Sequence, residues 1–298
     1  MNVRRLAVVV NPRGGKRNGL RVLERVLPIF DAAGIELEVY VTERAGHATE
    51  IARTLGLKSL SGICAVGGDG TFHEVANGLM QRDESISLPI GIIPAGTGNS
   101  VAQHLQFDDP MEAARRIVAG RFQPLDVVRV ALQDRVIHCV NIVGWGAVSD
   151  INVTAEKIRF MGPVRYTVAA LRHILTPKMR RATLVLDDIT TTDDFLFVMA
   201  CNTKYTGAGM KLAPEAEVGD GKLDVVVIRR VSRWQMLRLF MKVFDGSHVG
   251  LSCIEFHQVR SFSIQSDIAD RMNCDGEMKG NSPMTATLIP SALSVFVR

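Results

Sequence analysis

Short apolar runs alternate with helical periodicity through the first third of the chain. Residues 6–10 form an apolar run that ends in Asn11-Pro12-Arg13-Gly14-Gly15, and apolar positions then recur at Leu20, Val22, Leu23, Val26, Leu27 and Phe30. That pattern predicts a buried strand, a loop and an amphipathic helix. The cycle returns three times, at 36–42 then 48–55, 62–66 then 72–80, and 90–93 then 100–105. Four such repeats predict a parallel sheet covered by helices. After about Gly120 the texture changes to β-rich segments at 126–132, 136–143, 182–186, 195–201, 223–228 and 261–265, interrupted by helical patterns at 164–175 and 232–244. The expectation is an α/β domain over 1–124 and a largely antiparallel, β-rich domain over 125–298. The C-terminal segment is a candidate to return to the first domain, and the site is expected in the cleft between the two.

In open α/β sheets ligands bind beyond the carboxyl ends of the strands. Here those ends carry Asn11 to Gly15, Thr42 with Gly46 and His47, Gly67-Gly68-Asp69-Gly70-Thr71, and Pro94 to Ser100. Three glycines around Asp69 let the backbone approach a ligand, and a helix opening at Thr71 offers amides and a positive dipole end. Phosphate chemistry with a metal-nucleotide is the reading. Thr71 and Glu74 also fit a capping box, which would make the loop merely structural.

Composition narrows the classes. The 298 residues, 47% hydrophobic and 22% charged, suffice for two ordinary domains, and a net charge of +4 is too small to argue for nucleic acid. Cys64, Cys139, Cys201, Cys253 and Cys274 are scattered and read as buried thiols in a reducing compartment. No signal-peptide pattern and no run of about 18 apolar residues occurs, so the expectation is a soluble, cytoplasmic protein. Neither the Gly-x-x-x-x-Gly-Lys-Ser/Thr loop nor a complete dinucleotide fingerprint is present, since Val101 follows Gly96-Thr97-Gly98 where a third small residue belongs.

Asn11-Pro12-Arg13-Gly14-Gly15-Lys16, Gly67 to Thr71 and Pro94 to Asn99, in this order and spacing, resemble the diacylglycerol kinase and sphingosine kinase family. Trp145-Gly146, Asp150, Glu156-Lys157, Met161-Gly162 and Arg165 resemble the segment linking nucleotide and lipid sites in sphingosine-type kinases. Ala213-Pro214, Asp220-Gly221 and Asp275-Gly276-Glu277 resemble later motifs of the family. The resemblance implies a Rossmann-like nucleotide domain, a β-sandwich domain, and transfer of the γ-phosphate of ATP to a lipid hydroxyl. It also implies that Asn11, Pro12, Arg13, Gly14, Gly15, Thr42, Gly67, Gly68, Asp69, Gly70, Thr71, Phe72, His73 and Thr97 line ATP, with Arg159 and Arg165 as phosphate donors. Solvated helix flanks are the alternative for the two arginines. Glu277 matches the proton acceptor of bacterial diacylglycerol kinases, whereas sphingosine kinases are assigned the acid equivalent to Asp69. Both stay candidates, with Glu277 preferred. Glu217, Asp220 and Lys222 resemble a structural Mg²⁺ site made of one carboxylate and two backbone carbonyls, although Asp-Gly is also a hairpin signal.

Sphingosine kinases hold the lipid amine with an aspartate, and the match from Glu156-Lys157 sets Asn152 there, so the resemblance favours diacylglycerol or a ceramide-like alcohol over a sphingoid base. Residues 157–181 carry seven basic side chains and no acid beside Val164, Val168, Leu171, Ile174 and Leu175. Residues 229–244 carry Arg229, Arg230, Arg233, Arg238 and Lys242 beside Trp234, Leu237, Phe240 and Phe244. Both stretches are expected either to touch an anionic membrane peripherally or to be ordinary helices with solvated basic faces. An NAD kinase and a catalytically dead lipid or nucleotide sensor are the rival readings, and a homodimer is left open.

Overall fold

The computed structural model describes residues 4–15, 17–84 and 88–298, without the side chains of Arg159, Pro163 and Ala208. The chain divides into a first unit that runs to Val127 and takes in Ser291–Arg298, and a second, Val128–Pro290. The first contains β1 (Arg5–Val10), α1 (Gly19–Ala32), β2 (Glu36–Val41), α2 (His47–Thr54), β3 (Gly62–Gly67), α3 (Asp69–Met80), β4 (Pro89–Pro94), α4 (Ser100–His104) and α5 (Pro110–Ala119). β5 (Phe122–Ala131) crosses into the second unit. There follow β6 (Val136–Cys139), β7 (Ile142–Gly146), α6 (Ala147–Lys157), α7 (Arg165–Leu175), β8 (Arg180–Leu186), β9 (Ile189–Phe195) and β10 (Phe197–Cys201). β11 (Leu223–Ile228), α8 (Arg233–Lys242), β12 (Glu255–Val259), β13 (Ser261–Ser266), β14 (Arg271–Cys274) and β15 (Glu277–Asn281) come next. β16 (Met284–Phe296) begins in the second unit and ends in the first.

In the first unit the strands lie parallel in the order β2-β1-β3-β4. Every residue of β3 and β4 is buried, as expected of strands covered on both faces. The end of β16 joins them, Ser294 and Val295 pairing in parallel with Pro89 and Ile90. Val22, Leu23, Val26 and Phe30 of α1 pack on this sheet together with Phe296. The sequence pattern missed α5, whose Asp109 carboxylate accepts the Glu112 amide at 3.1 Å just before Pro110 at the first helical position.

In the second unit β12-β11-β10-β7-β14-β15 form an antiparallel sheet. Val143 and Trp145 of β7, Val198 of β10 and Val225 of β11 face a core shared with Phe262 of β13, Leu184 of β8 and Ala286 of β16, which makes a sandwich. The alternate residues, Ile142, Met199, Val226 and Ile228, face a second apolar cluster with Ile174 of α7 and Met236 and Leu239 of α8. Both faces of the sheet are covered at β7, β10 and β11, so these three strands read as buried runs without alternation.

One strand expected over 136–143 is two. The amides of Val140, Asn141 and Ile142 donate to the Asp275 carboxylate at 2.9 Å each, and the chain changes partner there, β6 pairing with β5 and β7 with β10 and β14. A side chain far along the chain replaces the ladder, which no local pattern signals.

Candidate active site

Three loops of the first unit converge on one another. Ala95 N donates to Gly67 O at 2.8 Å and Asn11 N to Val66 O at 3.0 Å, so the loops after β1, β3 and β4 leave the sheet side by side. A Cβ on Gly96 would sit 2.4 Å from the Cα of Gly68, and one on Gly15, already at φ +56, would sit 2.5 Å from the Ala95 carbonyl oxygen. The loops touch backbone to backbone, and glycine is the residue that permits it. Asn11 holds the cluster twice: its Nδ2 donates to Thr71 Oγ1 at 3.2 Å and its Oδ1 accepts the Arg13 amide at 3.0 Å. Asn99, left-handed at φ 38, exchanges hydrogen bonds with both backbone groups of Gly96.

Asp69 is the first residue of α3, two residues before the expected helix start. Its Oδ2 accepts the Ser100 amide at 2.8 Å and its Oδ1 the Val101 amide at 3.0 Å, so the carboxylate caps α4 and ties the second loop to the third. The capping box expected from Thr71 and Glu74 does not form. Thr71 bonds Asn11 instead, and the Glu74 carboxylate accepts the amides of Gly46 at 2.9 Å and Ala48 at 3.1 Å, capping α2. Glu74 satisfies a neighbouring helix whose own N-cap is Gly46, a residue without a side chain to do so.

Among the other expected nucleotide residues, Arg13, Gly15 and Thr97 are exposed, and Pro12, Gly14, Gly68 and Gly70 are half-buried. Thr42, Thr71 and Gly67 are buried at the strand ends and helix start. Phe72 is fully buried and His73 nearly so, beside Asn77, which leaves the backbone of Phe72 as the part that can meet a ligand. Lys16 and the side chain of Arg159 lie outside the described residues.

Arg165, Glu217, Asp220, Lys222 and Glu277 all belong to the second unit. Arg165 opens α7, pairs with Glu156 at 3.3 Å, and stacks its guanidinium 4.8 Å from the Tyr166 ring centroid. Asp275 and Gly276, at φ 49 and 90, make the two-residue turn between β14 and β15. Asp275 is buried and held by its three amides. Gly276 is clamped from both sides, its amide donating to Asn273 Oδ1 at 2.8 Å and its carbonyl accepting Asn152 Nδ2. Glu277 follows at the start of β15, with an exposed carboxylate 2.5 Å from Lys279 Nζ. An exposed carboxylate on a clamped turn can accept a proton without first breaking a buried contact.

In the loop before β11, the Glu217 carboxylate pairs with Lys204 at 2.6 Å and Lys222 Nζ donates to Gln258 at 3.1 Å, so neither side chain is turned to a shared ion. Asp220 is exposed and accepts the Lys222 amide at 3.0 Å. Nearby Asp224 is buried with Oδ2 unpartnered, and burial pushes its pKa up. Among the described residues no group of three His, Cys, Asp or Glu side chains is placed to hold a metal ion. An exposed Asp220 carboxylate is the kind of oxygen ligand a hydrated Mg²⁺ accepts.

Between the six-stranded sheet and helices α6, α7 and α8 lies an apolar cavity of about 170 Å³, within the second unit alone. Val148, Ile174, Phe197, Met199, Met236 and Phe240 are among its walls. Its polar groups are neutral, Asn152, Asn273, Thr206 and Tyr166, and no acidic or basic side chain among the described residues lines it. Asn152 is buried with its Oδ1 unpartnered. Asp150, two residues earlier, is engaged elsewhere, paired with Arg180 at 2.6 Å, while Arg180 also lies 3.1 Å from Asp270. The sequence pattern gave no sign of Asn273, because the Gly276 turn it holds meets Asn152 only in space.

The diacylglycerol kinase catalytic domain matches residues 5–130, and the YegS C-terminal NAD kinase beta sandwich-like domain matches residues 141–297. Sphingosine kinase 1 of Arabidopsis thaliana is 29% identical over 88% of the chain, which spans 64% of that relative's length. A diacylglycerol kinase of Bacillus subtilis (strain 168) is 26% identical, with 94% of this chain and 92% of the relative covered. A crystal structure from Bacillus anthracis str. Sterne, assigned to the diacylglycerol kinases, superposes with a TM-score of 0.83 at 25% identity, covering 99% of this chain and 95% of that one.

Proposed function

Because the chain belongs to the diacylglycerol kinase catalytic-domain family, a family of lipid kinases, we propose that it phosphorylates the hydroxyl of a neutral membrane lipid alcohol, with diacylglycerol the first candidate. The observation that carries the choice of acceptor is the cavity: hydrocarbon walls and a polar group of Asn152, Asn273 and Thr206, with no carboxylate among the described residues that line it to hold an ammonium. A buried orphan oxygen on Asn152 accepts a hydrogen bond from a neutral hydroxyl or amide, and a cationic sphingoid base would find no counter-charge there.

Phosphoryl transfer through a loose transition state requires positioning and charge stabilisation more than covalent help. ATP phosphates are assigned to the loops at Asn11 to Gly15, Gly67 to Thr71 and Thr97, where backbone amides and the α3 N-terminus offer donors. Asp69 is assigned to hold those loops in register, since both its oxygens engage amides of α4. Glu277 is the proton acceptor for the lipid hydroxyl, supported by its exposure and clamped turn. Mg²⁺ would supply charge neutralisation on the nucleotide, and a second ion would be held by the Asp220 carboxylate with neighbouring backbone carbonyls.

Mass spectrometry of products after incubation with ATP and Mg²⁺ tests this. The expected product is the phosphate of diacylglycerol or a ceramide-like alcohol; preferential phosphorylation of sphingosine sinks the neutral-acceptor reading, and NADP as sole product sinks the lipid reading. Asn152→Asp should move the sphingosine-to-diacylglycerol ratio of kcat/KM by about tenfold toward sphingosine, the difference between a neutral and a charge-assisted hydrogen bond.

A further inference from the structure

Glu277, assigned above as the proton acceptor, stands on a strand that offers its side chain little support. β15 is the last strand of its sheet, so one of its edges meets β14 and the other meets no strand of that sheet. Alternation along the strand puts Glu277 and Lys279 on one face of β15 and Met278 on the other. There the Lys279 ammonium lies 2.5 Å from Glu277 Oε2. Among the described residues Glu277 pairs with no other cation and Lys279 with no other acid.

The backbone that carries this pair is fixed at both ends. Before it, the Asp275-Gly276 turn is held by three amides on the Asp275 carboxylate and by the asparagines on either side of Gly276. After it, Gly280 takes φ +110, and a Cβ there would sit 2.8 Å from Leu132 Cδ1, a side chain packed against the sandwich core. The path of β15 is therefore settled without Lys279, and what the lysine adds is the direction of the Glu277 carboxylate. An exposed glutamate samples several staggered conformers, and an ammonium on the same face selects those that meet it. The lysine also offsets charge. A base for phosphoryl transfer works beside the anionic γ-phosphate, which repels a bare carboxylate. Folding stability does not account for the pair: its side chains are 37% exposed at Lys279 and 46% at Glu277, and exposed ion pairs contribute little.

We propose that Lys279 is a positioning residue for Glu277, aiming its carboxylate and neutralising its charge while the acceptor hydroxyl reacts. The inference rests on the lipid-kinase reading with Glu277 as its base. In the step it serves, the hydroxyl proton passes to Glu277, the hydroxyl oxygen bonds the γ-phosphorus, and ADP leaves with the electrons of the broken P–O bond; Lys279 stays protonated throughout. Steady-state kinetics of the whole protein test it, with ATP, Mg²⁺ and whichever of diacylglycerol, ceramide and sphingosine in detergent micelles the wild type turns over fastest. Lys279→Met should lower kcat about tenfold, the loss of one charge-assisted hydrogen bond, and leave the KM for the lipid and the denaturant midpoint unchanged. Lys279→Arg should keep the wild-type kcat. In a Glu277→Gln background Lys279→Met should cost nothing further, because the lysine acts only through the carboxylate. A wild-type kcat in Lys279→Met overturns the proposal, as does the same fold loss in both backgrounds or a denaturant midpoint that falls with kcat, the mark of a structural role. A wild type inactive on all three lipids overturns the kinase reading, and a wild-type kcat in Glu277→Gln overturns the choice of base; each is seen before any lysine variant is made and takes this inference with it.

Discussion

Two acids that look alike in sequence carry different loads. Asp69 and Glu277 both stand in Asp-Gly motifs suited to catalysis, yet Asp69 has each oxygen on a backbone amide and Glu277 has a single exposed ion pair. Replacing Asp69 by Asn sets an NH₂ against a backbone N–H, which should cost roughly 1–3 kcal/mol of stability and show as a lower denaturant midpoint. The same change should raise the KM for ATP as the three loops lose register. Glu277→Gln should leave the midpoint unchanged and lower kcat by about 10² to 10⁴, the usual contribution of a positioned base. A wild-type kcat in Glu277→Gln would remove its assigned role, and an unchanged midpoint in Asp69→Asn would remove the capping one. The glycine motifs around Asp69 were legible because they are local. The asparagine clamp on Gly276 was not, because Asn152 and Gly276 meet only after the second unit has folded.

The elements read from the sequence agree with the structure where a single face decides them. The strands at 62–66 and 223–228 and the helix at 164–175 correspond to β3, β11 and α7 to within a residue. The sequence pattern failed where polar groups intervene: Asp275 divides β6 from β7, and β9, whose Thr and Asp residues show no apolar alternation, is held by pairing with β8. α7 also carries a titration. Burial lowers the pKa of His173, Asp150 opposes that, and Arg172 and Arg180 reinforce it, while Nε2 shares a hydrogen bond of 2.9 Å with Thr154 on α6. The folded state therefore binds fewer protons at this ring than the unfolded chain, whose His titrates near 6.5. Its contribution to stability is present above that value and is lost as pH falls through the folded pKa. Urea midpoints between neutral and weakly acid pH should decline in the wild type, and His173→Gln should flatten that decline; an equal slope in both proteins would assign the effect to another group.

At the scale of the whole molecule the two units are unequal in how the chain builds them. The second is one continuous stretch, Val128–Pro290, whereas the first needs Ser291–Arg298, which brings Leu293, Val295 and Phe296 into its core. The Phe296 ring lies where a Cβ on Gly62 would come within 2.9 Å, and the ring itself is fully buried. Phe296→Ala should cost about 3–5 kcal/mol, measured as early unfolding of the first unit by limited proteolysis, while the second unit keeps its resistance. Loss of both units together would mean that they unfold as one. The pairing of β4 with the end of β16 also sets an order on synthesis. On the ribosome β4 emerges early, with an apolar, unpaired edge, and waits while the whole of the second unit is made. Of the two units, the one translated first is thus completed last, and in the interval the nascent chain exposes the kind of strand edge that chaperones shield.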